Sequence, residues 1–269
     1  MGMVGATREL VAVTTVVVLV STLVEGPAAA VVGLCLGLAV AFGTLQVLGD
    51  GIPETTHAGV PVESLIIPST AAVAVLGSIR VVPPGPFLIP AIAIGAWLLV
   101  RVLGTEARLL ARPTGPSGAD RTAVIGEAMV VGFLAFVGLA ALVPGGLPEP
   151  GVPPAPMDGG QLVILALADA AVAFLLGYRA AALRTQNLRD VAWTALTSGV
   201  VVAIAAAALR AMEIPRLLGP ALLVLVFFLW DAVHDTPLSR RRDARRAWET
   251  ALLIVMGIAV VAWSLHLRG

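Results

Sequence analysis

Asp169 stands in Leu165-Ala166-Leu167-Ala168-Asp169-Ala170-Ala171, near the middle of an apolar run over 161–183. If that run spans a membrane, a carboxylate there costs roughly 2.5–3.5 kcal/mol, so it must be protonated, hydrogen-bonded from another helix or open to a water-filled cavity. The side chains three and four residues away are Leu165, Ala166, Val172 and Ala173, and none can bond to it. Two chemistries follow. A carboxyl group alternately screened from water and exposed to it can relay a proton or a cation. A carboxyl group hydrogen-bonded to Ser or Thr of a neighbouring helix only ties helices together.

Other ionisable groups near apolar runs are weaker pointers. Glu127 lies about a turn and a half into the run 122–143, within reach of the interface. Arg80 and Arg210 lie at the ends of the runs 64–82 and 191–212. Each can extend to the headgroups, or pair with Asp169, Glu25 or Glu213. Asp231 and His234 are one helical turn apart and share a face, as an interfacial pair would. The polar stretch 49–63 carries Glu54, His57 and Glu63 but no arginine. Glu54 and His57 have E-x-x-H spacing, which binds iron only on a helix and in duplicate; Pro53, Gly59 and Pro61 argue against a helix there. No metal site, cofactor site or catalytic set is therefore assigned. There is no phosphate-binding G-x-x-x-x-G-K-[ST] loop, no H-E-x-x-H and no G-x-S-x-G. All 17 basic residues are arginine, so chemistry that needs a lysine amine is excluded.

The elements that must position these groups are membrane helices. The 269 residues are 58% hydrophobic and 13% charged, with a mean hydropathy of +0.97. A soluble domain averages about 45–50% apolar and about 25% charged, and a fold of this size could not hide the difference from water. Runs bounded by Pro, Gly or Arg fall at 9–25, 28–48, 64–82, 86–103, 122–143, 161–183, 191–212, 217–234 and 247–266. A spanning helix needs about 20 residues. The expectation is an all-α, polytopic transmembrane bundle of about nine spanning helices, forming one integral membrane domain over 1–269. The first run partly mimics a secretory signal, but a second follows at once, so it reads as an uncleaved helix. The lone Cys35 reads as a small buried hydrophobe. Trp97, Trp193, Trp230, Trp248 and Trp263 fall toward run ends, as an aromatic belt requires.

With the N-terminus in the cytoplasm and every run crossing, thirteen of the 17 arginines lie inside. The positive-inside rule thus predicts a plasma (inner) membrane protein with N-terminus cytoplasmic and C-terminus external. The cluster Arg240, Arg241, Arg242, Arg245 and Arg246 would face anionic lipid headgroups of the cytoplasmic leaflet. Zero net charge offers nothing to a nucleic acid. Ala39-Val40-Ala41-Phe42 recurs as Ala171-Val172-Ala173-Phe174, and Pro90-Ala91 as Pro220-Ala221. These echoes suggest a 1+4+4 arrangement with parallel four-helix repeats at 28–143 and 161–266.

Three function classes fit. One is a carrier or channel-like protein for a small solute, proton or lipid, built on the carboxylate of Asp169. The second is a non-catalytic membrane subunit or cell-envelope assembly protein, held to protein partners or to further copies of itself. The third, an enzyme modifying lipids, would need the 49–63 loop to converge with Asp231 and His234.

Overall fold

The computed structural model describes residues 3–24, 26–50, 59–112, 117–143, 146–147, 158–211 and 217–235. Within them lie eight helices and no strand: α1 (Met3–Ser21), α2 (Pro27–Gly49), α3 (Ile66–Ile79), α4 (Leu88–Leu110), α5 (Gly118–Leu142), α6 (Gly159–Ala182), α7 (Leu188–Ala211) and α8 (Leu218–Asp235). A 3-10 turn, Val62–Leu65, leads directly into α3. Helices are what such apolar runs must form, because lipid offers backbone N–H and C=O groups no other partner.

Six spans are long and apolar enough to cross a membrane: Ala28–Gly49, Val62–Ile79, Leu88–Leu110, Gly118–Leu142, Gly159–Ala182 and Leu188–Arg210. The chain is a multi-pass helical membrane protein in contact with the bilayer. The count of about nine is met only in part. Leu218–His234 is a shorter apolar helix, α1 is not among the six, and the run 247–266 lies outside the described residues, as do Glu25, Glu54, His57, Glu213 and the 240–246 arginines.

Local chemistry sets the helix ends. Pro27 occupies the first turn of α2, where its missing N–H costs nothing. Gly85, at φ 137°, turns the chain between α3 and α4 where a side chain would be strained. Ser117 and Asp120 form a reciprocal capping box at the start of α5, and Asp158 accepts from the Gly160 N–H at the start of α6.

Contacts at the helix ends fix the order. Leu10 of α1 lies against Gly43 of α2, as in an antiparallel hairpin. Arg80, capping α3, donates to the carbonyls of Ser21 and Val24 at the end of α1. Arg210, at the end of α7, donates to the carbonyl of Gly146 just beyond α5. At the opposite pole the end of α4 meets the start of α5 and the end of α6, and the loop after α6 meets the end of α8. Successive helices therefore alternate in direction. Arg108, Arg112, Arg121, Arg179, Arg184 and Arg189 gather at this second, arginine-rich pole.

α3 is the centre. It packs against α1, α2, α4, α5 and α6, and ten of its 14 residues are buried. Small residues allow the close approaches: Gly77 of α3 meets Gly138 of α5 backbone to backbone, and Gly177 of α6 meets Ser198 of α7. α2, by contrast, presents Val31, Leu34, Leu38 and Phe42 outward. Cys35 lies on that exposed side as well, so the expectation of a buried thiol is corrected: the apolar run that holds it faces lipid rather than core.

Candidate functional site

Polar side chains concentrate in two places. The first is Asp169, the eleventh residue of α6. At 1.5 Å per residue it lies about 15 Å from the helix start, half of an approximately 30 Å hydrocarbon layer. It has no exposed surface, and neither carboxyl oxygen has a hydrogen-bond partner. Its opposite-charge neighbour is Arg210, which acts on it through space without contact. Arg210 spends Nη1 on the Gly146 carbonyl and keeps Nη2 buried without a partner. The two groups thus stand near each other on the neighbouring helices α6 and α7. Arg80, also a candidate from the sequence, serves α1 instead: its guanidinium caps the helix's last carbonyls.

The second place is the arginine-rich pole. Glu106 of α4 and Arg179 of α6 form a buried, two-pronged ion pair. Nε donates to Oε1 at 3.0 Å and Nη2 to Oε2 at 2.5 Å, with side chains 1% and 7% exposed. One residue earlier, Thr105 donates to Glu127 Oε1 of α5 at 2.8 Å. Arg101 Nε stands 3.2 Å from the same oxygen, and Arg108 donates to the Thr105 hydroxyl at 3.0 Å. Glu127 is therefore tied into the bundle through Thr105 and Arg101.

Arg101 also covers the ring of Trp97, 5.6 Å from its centroid. α4 runs on to Leu110, past the end of the apolar run 86–103. Trp97 falls near the middle of α4 rather than toward its end. Trp230 of α8 donates to Thr197 of α7 at 3.2 Å, which fastens the last described helix.

Glu63 and Asp231 come to this same pole. Asp231 pairs with Arg184, whereas the His234 ring rests on Trp230 and approaches the Trp230 carbonyl at 2.9 Å. Sharing a face has thus not joined Asp231 to His234 in a ligand pair. Glu63 and Ser64 line a cavity of about 310 Å³ with Glu106, Arg121, Arg179 and Arg184. Among the described residues no group of three His, Cys, Asp or Glu is placed to hold a metal.

Glu106 and Arg184 were not singled out in the sequence. A glutamate between Arg101 and Arg108 at a run end was the available signal. Ten residues separate Asp169 from Arg179 on α6, about 15 Å of helix. The buried Ala173 and Leu176 lie between them, and Leu176 packs on Gly132. The arrangement is a polar cavity at one pole, an apolar plug, and an unpartnered carboxyl group at mid-depth.

No family model, curated protein or solved structure matches this chain.

Proposed function

We propose that this chain is a plasma-membrane carrier in which Asp169 takes up and releases a proton as solute access alternates between the two poles. The observation that carries the reading is the fully buried, unpartnered carboxyl group at mid-depth of α6. A structural carboxyl group would hold at least one hydrogen bond, because each unsatisfied buried oxygen costs about 1–3 kcal/mol. A group retained at that cost has a use in another state, in which water or a cation reaches it. The arginine-rich pole is cytoplasmic in this reading, by the positive-inside rule, which places the end of α8 inside; a crossing by 247–266 would carry the C-terminus outside. The two four-helix units would then rock about the fixed site.

The test is proton uptake into proteoliposomes under an imposed potential, read with an enclosed pH dye. Asp169→Asn keeps the shape and cannot titrate. It is expected to match the wild type in thermal melting and to lose the uptake. If Asp169→Asn retains full uptake, or if only Asp169→Leu has an effect and that effect is on stability, the carboxyl group is structural and the carrier reading falls.

A further inference from the structure

The cavity at the arginine-rich pole holds charges of both signs. Two of its arginines are already matched: Arg179 to Glu106 and Arg184 to Asp231. That leaves Arg121, in the first turns of α5, and Glu63, in the turn before α3. Neither makes an ion pair among the described residues, and the two do not pair with each other although both line the same space. A guanidinium and a carboxylate more than 4.0 Å apart across one concave surface are complementary to a molecule that carries both charges. A lone anion would satisfy Arg121 and meet repulsion from Glu63; a lone cation would satisfy Glu63 and meet repulsion from Arg121.

We infer that this cavity binds a small zwitterion, with the oxyanion on Arg121 and a primary ammonium on Glu63. Arginine presents a planar fork to a carboxylate or a phosphate, and the carboxylate of Glu63 accepts from an ammonium group. Thr185 and Gln186 add neutral hydrogen-bonding groups, while Leu109 and Leu110 give an apolar wall for a short side chain or the glycerol end of a lipid. The buried Glu106–Arg179 pair is the rigid floor. It joins α4 to α6 and is already satisfied, so it shapes the site without competing for the ligand. The same chemistry is offered by a free amino acid and by the phosphoethanolamine headgroup of a phospholipid, since the cavity lies at the end of the bundle, where headgroups reside. The inference rests on the carrier reading only for passage of the solute across the membrane; binding stands without it.

Purified full-length chain in detergent is titrated with L-alanine and phosphoethanolamine, and with ethylamine and inorganic phosphate as single-charge controls. Binding is followed by calorimetry and thermal melting. A second arm compares melting in nanodiscs of phosphatidylethanolamine and of phosphatidylglycerol. A zwitterionic probe is expected to bind and raise Tm where the single-charge probes do not. Glu63→Gln and Arg121→Gln, both on the cavity lining and without an ion pair to lose, are each expected to weaken binding about tenfold or more while leaving the unliganded melt unchanged. A response to the soluble probes assigns a free solute, and a response confined to phosphatidylethanolamine assigns the lipid headgroup; either supports the site. Single-charge probes binding as tightly as the zwitterions would overturn it, as would binding insensitive to both substitutions or no response in either arm. Asp169→Asn should leave binding intact, so binding without proton uptake and uptake without binding separate the failure of one reading from that of the other.

Discussion

Glu106→Leu is expected to be among the most damaging single substitutions in the protein, costing about 3–5 kcal/mol of stability. The carboxylate it removes accepts two bonds from Arg179, a guanidinium only 7% exposed. The arginine would be left charged and without its partner at the floor of the cavity, with only 7% of its side chain exposed. Glu63 and Glu127 act on Glu106 through space and so lie near; Glu127 is already held by Thr105 and Arg101, and Glu63, which lines the same cavity, is replaced by glutamine in every member of the series so that it does not take over Arg179. Removing both partners has a different outcome. In Glu106→Leu/Arg179→Met neither charge is desolvated, and stability should return to within about 1 kcal/mol of the parent, because isosteric apolar replacement of a buried pair is close to neutral. The four proteins form a double-mutant cycle, read by thermal melting and by unfolding in mixed micelles of increasing SDS content. A double variant as unstable as the single one would show that the pair contributes through its packing and not through charge compensation.

That pair also marks where the sequence stops being legible. The apolar runs placed the described helices to within a few residues at most ends, because backbone satisfaction in lipid leaves a long apolar run few other conformations. The exceptions were the start of α1, at Met3 instead of residue 9, and the end of α4. The apolar run stops at residue 103 because charged residues follow, yet α4 continues through Glu106 and Arg108 to Leu110, and Glu106 is buried there against Arg179. The partner of Glu106 is 73 residues away, a separation at which local spacing says nothing. Asp169 was the opposite case: its isolation among Ala, Leu and Val is a local property, visible without any fold. What the sequence could not supply was its relation to Arg210 on the next helix, or the apolar plug between it and the cavity. Those depend on the rotation of α6 against α7, set by the contacts of Gly177 with Ser198 and of Gly199 with the Ala170 carbonyl.

The same illegibility applies to the crossing of α3 and α5, and the last expected result concerns it. Nothing in the sequence separates Gly77 and Gly138 from the other glycines among the 28. In the fold they touch. A Cβ on Gly77 would lie 2.6 Å from the Gly138 Cα and 2.9 Å from its carbonyl carbon; a Cβ on Gly138 would lie 2.9 Å from the Gly77 Cα. These obstacles are backbone atoms of two helices at the centre of the bundle, so no side chain can turn aside, and a substitution must push α3 and α5 apart. Without water to expel, membrane helices gain their association largely from such close packing, and separating them forfeits dispersion contacts along the whole interface. Gly77→Ala is expected to cost about 1–3 kcal/mol, the range for overpacking, and Gly138→Leu more. Gly104→Ala and Gly126→Ala are the controls. Both glycines are helical, and a methyl group added at either would meet nothing within 4 Å, so alanine there should be neutral or stabilise by up to about 1 kcal/mol through helix propensity. Melting temperatures of the four variants in one detergent decide the matter. If Gly77→Ala melts with Gly104→Ala, the two central helices do not cross backbone to backbone. If it melts well below, the crossing that holds α5 against α3 also fixes where Glu127 of α5 meets Thr105 of α4, and the polar network at the arginine-rich pole should loosen with it.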